Sequence, residues 1–150
     1  MEIVVNDTNI LIDLYNSKLL QYCKLLNFDF RTIDFVIYEI EIDEQLKAIQ
    51  KMIDEGILKV YSLDGQMMQT AYEKKNLYQD KCNVSMTDIS VMVYAKVNNC
   101  RLLTGDKTLR TTAENENIRV SGILYIIDML MDKIDPQELI DSLELLLQSN

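Results

Sequence analysis

Twenty-four aspartate and glutamate residues stand against fifteen lysines and arginines in a chain of 150 residues that contains no histidine. Without histidine there is no Ser-His-Asp or Cys-His catalysis and no His-ligated metal site. Cys23, Cys82 and Cys100 are odd in number and widely spaced, with no CxxC pair, so they read as reduced thiols in or near a core. Carboxylates are left to carry any reaction. Four occupy telling positions: Asp7 after the apolar run Ile3-Val4-Val5, Glu39 after a β-rich stretch at 32–37, Asp88 at the start of an apolar segment, and Asp106 after Leu102-Leu103-Thr104-Gly105. Glu41 competes with Glu39 as the site glutamate, and the apolar-acid-apolar order of Tyr38-Glu39-Ile40 favours Glu39.

Each acid taken alone has an ordinary structural use. Asp7 and Asp106 suit helix N-caps, Glu39 suits the positive start of a helix, and Ser85-Met86-Thr87-Asp88 fits a capping box. Taken together they imply more. Four carboxylates gathered within a few ångströms repel one another and titrate as coupled groups with raised pKa values. A divalent cation removes that penalty, and an all-oxygen donor set suits Mg²⁺ or Mn²⁺, one or two ions.

The elements that must position these acids alternate between strand and helix. Strands are expected at 3–5, 32–37, 57–63, 101–104 and 118–120, with helices after Asp7 and over 39–55, 66–80, 89–97 and 107–116. Gly56 suits the residue just past a helix C-terminus. Two helices close the chain from about 122 to 149, the second with Asp135 as N-cap, Pro136 at N1 and Glu138 at N3. With one proline, four glycines, no repeat and no linker, residues 1–150 are expected to form a single domain. Its class is α/β, a three-layer α/β/α sandwich around a central, mainly parallel sheet. In such sheets ligands collect beyond the carboxyl ends of the strands, where all four acids could converge.

A formal charge of -9 argues against a surface built simply to adhere to nucleic acid. No basic leader and no apolar run of about 20 residues is present, so a soluble, cytoplasmic protein is expected.

Val4-Val5-Asn6-Asp7-Thr8-Asn9-Ile10-Leu11-Ile12, Val36-Ile37-Tyr38-Glu39-Ile40, Thr87-Asp88-Ile89-Ser90-Val91 and Leu102-Leu103-Thr104-Gly105-Asp106-Lys107 resemble, in this order, the PIN-domain ribonucleases, and in particular the VapC-like toxins of bacterial toxin-antitoxin pairs. The resemblance implies that Asp7, Glu39, Asp88 and Asp106 are the catalytic and metal-binding quartet, with Asn9 and Thr104 supporting it. It implies hydrolysis of phosphodiester bonds in single-stranded RNA, leaving a 5′-phosphate and a 3′-hydroxyl. It also implies an antitoxin partner and a homodimer, for which Leu139, Leu143, Leu146 and Leu147 offer an apolar helix face. Lys107 and Arg110 are candidate RNA contacts. Lys74, Lys75 and Lys81 with Tyr72 and Tyr78 could extend an RNA path, although a solvated helix face with ordinary amphipathic tyrosines is the favoured reading of that segment.

Other classes fit less well. An aspartate-nucleophile phosphatase would carry Asp-x-Asp where this chain has Asp7-Thr8-Asn9. A receiver module would need a phosphoacceptor after the third strand, where Asp64 stands, and an acidic pair where Asn6-Asp7 stands. A PIN-like scaffold that binds a protein partner without catalysis is the remaining alternative.

Overall fold

The computed structural model describes residues 1–149. Strand β1 (Glu2–Asn6) leads into helix α1 (Thr8–Asn16) and a 3₁₀ turn, Leu20–Leu25. Then come β2 (Phe28–Ile33), the short α2 (Asp34–Tyr38), α3 (Asp43–Asp54), β3 (Leu58–Tyr61), α4 (Gly65–Tyr78) and α5 (Met86–Val97). The chain continues through β4 (Arg101–Leu103), α6 (Lys107–Asn115), β5 (Val120–Ser121), α7 (Ile123–Leu130) and α8 (Pro136–Ser149). The five strands form one sheet in the order β3-β2-β1-β4-β5, with every pairing parallel.

Parallel strands covered on both faces need apolar side chains on both. Val4 and Val5 of β1 and Leu102 and Leu103 of β4 are accordingly all solvent-inaccessible. Helices α1, α3, α7 and α8 pack together on one side of the sheet, while α4, α5 and α6 pack on the other. Ile10, Leu11 and Leu14 bury one face of α1, and every residue of α5 from 89 to 95 is buried, so α5 is enclosed on most sides as its composition predicts.

The register between β1 and β4 sets the two strand ends level. Asn6 lies opposite Leu103, and the Asp7 N–H donates to the Leu103 carbonyl at 3.0 Å. From β1 the chain crosses to β2 and then β3 on one side, and from β4 it crosses to β5 on the other. The divergence opens a crevice at the carboxyl ends of β1 and β4.

Several element boundaries differ from those the sequence suggests. The second strand is Phe28–Ile33, not 32–37. Its period-two signal is masked because Asp29 and Arg31 share a face and pair with each other at 2.9 Å. The Asp34 carboxylate accepts from the Phe35 N–H and opens α2, which leaves Glu39 at a helix C-cap and not at a helix start. Helix α3 begins only at Asp43, after an extended Ile42. Gly56 does take the left-handed conformation past its end, with φ of 75°. Strand β5 starts at Val120 because Asn117, at φ 63°, turns the chain so that the Ile118 N–H bonds back to Ala113 and closes α6.

At the carboxyl end of the chain, the Gln137 N–H donates to the Asp135 carboxylate at 2.8 Å, the expected cap. Glu138 accepts instead from the Tyr22 hydroxyl, at 2.6 Å. Leu139 and Leu146 are buried and Leu143 packs against the core, which leaves Leu147 exposed on that face. Cys23 and Cys100 are buried, Cys82 is half-buried, and all three are free thiols. Among the described residues no helix is long and apolar enough to cross a membrane.

Candidate active site

Asp7 and Asp106 flank the crevice because each is the first acid beyond its strand. Both also cap the helix that comes next: Asp7 Oδ1 accepts from the Thr8 N–H at 2.8 Å, and Asp106 Oδ1 accepts from the Leu109 N–H at 2.9 Å. The Thr104 hydroxyl joins the two. It donates to Asp7 Oδ2 at 2.9 Å and accepts from the Asp106 N–H at 3.0 Å. Asn9, in the first turn of α1, accepts from the Gly105 N–H at 3.0 Å and so ties α1 to the same loop. Both supporting residues read from the sequence therefore clamp the β4–α6 loop against the start of α1.

The other two acids come from distant segments. Glu39 Oε2 accepts from the Thr8 hydroxyl at 2.8 Å, which brings the end of α2 over the start of α1. Glu41 is also exposed and, among the described residues, has no side-chain hydrogen bond to α1 like that of Glu39. Asp88 and Ser85 form a reciprocal capping box at the start of α5, with Asp88 Oδ2 accepting from the Ser85 N–H at 3.0 Å. The structural uses foreseen for Asp7, Asp88 and Asp106 are thus all realised. They do not exhaust these side chains, since a carboxylate has about four acceptor positions.

Electrostatics bind the set together. Asp7 is 3% exposed, and its carboxyl is raised to about 6, first by burial and then by the charges of Asp88 and Glu39, against the opposing hydrogen bonds from Thr8 and Thr104. Asp88 is raised as well, by burial and by the charges of Asp106 and Glu39, against the Ser85 N–H. Among the described residues none of the four carboxylates is in an ion pair. Four acids from four segments therefore feel one another with no cation of the chain's own between them.

No three His, Cys, Asp or Glu side chains among the described residues stand close enough to hold a metal ion. The donor set still fits a magnesium-type ion, which keeps several waters and takes only one or two direct carboxylates. Asp7, Asp88 and Asp106 are the residues that would hold it, directly or through water.

Two contributors had no prominence in the sequence. Thr8 connects Asp7 to Glu39, and the strand-end triplet Asp7-Thr8-Asn9 is the signal that could have marked it. Asn6 is fully buried, donates from its side chain to the Arg31 carbonyl at 3.1 Å and accepts the Thr32 hydroxyl on its own carbonyl at 2.8 Å, anchoring β1 to β2 just before Asp7. Lys107 and Arg110 are exposed on α6 beside the acids. The other basic segment divides: Lys74 pairs with Glu116 at 2.7 Å, Lys75 donates to the Val84 carbonyl at 2.6 Å and Tyr78 donates to Glu116 at 2.7 Å, whereas Tyr72 and Lys81 are exposed. Asp64 caps α4 by accepting from the Met67 N–H at 2.8 Å, after the edge strand β3 and away from the crevice.

A family model described as a PIN domain matches residues 3–150. No curated protein matches. Among solved structures, the chain is similar to VapBC-1 from nontypeable Haemophilus influenzae, with a TM-score of 0.60 and 16% identity over 80% of this chain and 97% of that one. It is similar to VapBC2 from Rickettsia felis, solved bound to a DNA fragment from its promoter, with a TM-score of 0.59 and 16% identity over 80% and 98%. A domain of a functionally unknown protein from Methanocaldococcus jannaschii gives a TM-score of 0.54 and 20% identity over 81% and 91%. At these identities the likeness to the solved structures is one of fold.

Proposed function

Since this chain belongs to the PIN-domain family, we propose that it is a divalent-metal-dependent endoribonuclease that hydrolyses single-stranded RNA as the toxin of a toxin-antitoxin pair. One observation carries the reading: at the crevice between β1 and β4, the buried Asp7 carboxyl is pushed up to about 6 by its burial and by the charges of Asp88 and Glu39, further acids in place of a lysine or arginine. A fold that needed these residues only as caps has no reason to bring them within one another's fields.

When bound, Mg²⁺ or Mn²⁺ supplies Lewis-acid stabilisation of the scissile phosphate and makes a nucleophile available from water near neutral pH. The chain supplies the rest. Asp7, Asp88 and Asp106, at the starts of α1, α5 and α6, would hold the cation, directly or through water. Thr104 keeps Asp7 and the Asp106 backbone in register. Thr8 holds one oxygen of Glu39, which leaves the other to hold or orient the attacking water. The similarity to two VapBC assemblies supports an antitoxin partner, for which an uncompensated acidic crevice is a natural target of basic side chains. Residues 1–150 would act as one nuclease domain and pair as a homodimer, with exposed Leu147 of α8 as an apolar contact.

The test is to incubate purified protein with total cellular RNA and Mg²⁺ or Mn²⁺ and to sequence the new 5′-phosphate ends, with Asp106→Asn alongside. Metal-dependent ends that vanish in the variant are the expected result. No new ends at high concentration of folded protein would remove the nuclease reading and favour a protein-binding scaffold.

A further inference from the structure

A cleft of about 470 Å³ lies between α6 and the turn at the end of α4. Lys107, Thr108, Thr111 and Asn115 form one wall, at the helical spacing that puts 108, 111 and 115 on one face of α6. Lys81 and Tyr78 form the other. The cleft starts one residue from Asp106 and runs along α6 for about 12 Å at 1.5 Å per residue. No acid lines it, in a chain whose net charge is -9. Lys81 and Lys107 are exposed, and neither is in an ion pair among the described residues, whereas Lys74 and Lys96 are both held by the buried Glu116.

The far wall is anchored. The Lys81 and Cys82 N–H groups donate to the Tyr78 carbonyl, and the Tyr78 hydroxyl donates to Glu116 at 2.7 Å. Lys81 is thereby carried on a turn fixed to the core, facing Lys107 across a gap floored by threonines. The Thr111 and Thr112 hydroxyls donate back to the Lys107 and Thr108 carbonyls, while the exposed Thr108 and Asn115 side chains offer polar groups suited to phosphate oxygens and ribose hydroxyls.

We propose that this cleft is the backbone-holding subsite for the RNA strand on one side of the scissile phosphate, with Lys81 and Lys107 as its positioning residues. The inference rests on the nuclease reading above. A cation pair next to an acidic centre solves a problem that centre creates: the carboxylates repel the very backbone they act on, so attraction has to come from an adjoining surface. Lys81 is the informative member, because it lies far from Lys107 in the chain and only the fold sets the two on opposite walls of one cleft.

Binding of a fluorescein-labelled, mixed-sequence single-stranded RNA, measured by anisotropy in EDTA over a range of salt concentrations, tests it. Each phosphate contact contributes about 0.7 to the slope of log K against log salt for single strands. The double variant Lys81→Gln/Lys107→Gln is expected to lose about 1.4 from that slope and roughly tenfold in affinity at low salt. Lys133→Gln, exposed near the chain's carboxyl end, serves as the control and should leave the slope unchanged. A slope in the double variant equal to that of the control, with Mn²⁺-dependent cleavage by the wild type intact, overturns the subsite and leaves the nuclease reading standing. Loss of poly-glutamate binding with the RNA slope preserved also overturns it and assigns the cleft to an acidic protein segment. Neither binding nor cleavage by the wild type removes both readings.

Discussion

Asp7 and Glu116 are both buried carboxylates, 3% and 8% exposed, and the fold treats them in opposite ways. Burial pushes Glu116 up, but hydrogen bonds from Lys74 and Tyr78 and the charges of Lys74 and Lys96 outweigh it, so its carboxyl lies below the usual range. Burial pushes Asp7 up too, and there the charges of Asp88 and Glu39 add to the push. Two buried acids thus differ in the company the fold gives them. Glu116 is neutralised within the chain and acts as a structural junction between α4, α5 and the end of α6. Asp7 is left without a cation, which costs stability and is a sensible arrangement only where a cation or a cationic partner arrives from outside.

Replacing Asp7 by asparagine should break the comparison most sharply. On the metal-binding role proposed for Asp7, cleavage should fall by about a hundredfold or more. Stability of the metal-free protein should meanwhile rise, by an amount set by pH. An aspartate raised from 3.8 to about 6 on folding binds its proton more tightly in the folded state, so its unfavourable contribution is absent well below pH 3.8, grows as pH rises towards 6 and is complete above it. Urea unfolding at pH 7.5 in EDTA should therefore find Asp7→Asn more stable by on the order of 2 kcal/mol, with the difference shrinking to little near pH 4. A destabilised variant at pH 7.5 would show that Asp7 is an ordinary cap.

Glu116→Ala should do the reverse. Removing the shared acceptor leaves Lys74 and Tyr78 without their partner and should cost about 2 to 3 kcal/mol in urea unfolding. The rate of RNA cleavage per folded molecule should stay close to that of the wild type. A smaller effect should come from Thr104→Val, which keeps shape but removes one donor to Asp7 and one acceptor for the Asp106 N–H. It should cost about 1 to 2 kcal/mol and about tenfold in cleavage. It should also move the pH at which Asp7 titrates upward, since a hydrogen bond to the ionised form is lost.

Much of this was legible in the chain. Asp7 and Asp106 could be placed because each comes directly after a short apolar run and its strand end, and an acid just past a parallel strand has few places to go. The cap at Asp135 and the left-handed Gly56 came from local chemistry alone. Glu39 was harder: it was found through a resemblance of pattern, and its assumed position at a helix start was wrong because Asp34 opens α2 five residues earlier. The basic segment around 72–81 divided for a reason no local pattern contains. Lys74 and Tyr78 face Glu116, about forty residues away in the chain, whereas Lys81 lies past the helix end and faces Lys107.

The sequence by itself determined the chemistry on offer and most of the local structure. It excluded histidine-based mechanisms, supplied oxygen ligands, alternated strands with helices and put acids at strand ends, all of which depend on residue types and spacings of a few positions. Only the tertiary structure decided which acids feel one another's charge and which lysines, among the described residues, stand outside ion pairs. Strand order and register bring Asp7, Glu39, Asp88 and Asp106 into one electrostatic field and place Glu116 among cations, because Coulomb interaction depends on distance through space and on burial, and neither is a property of chain position.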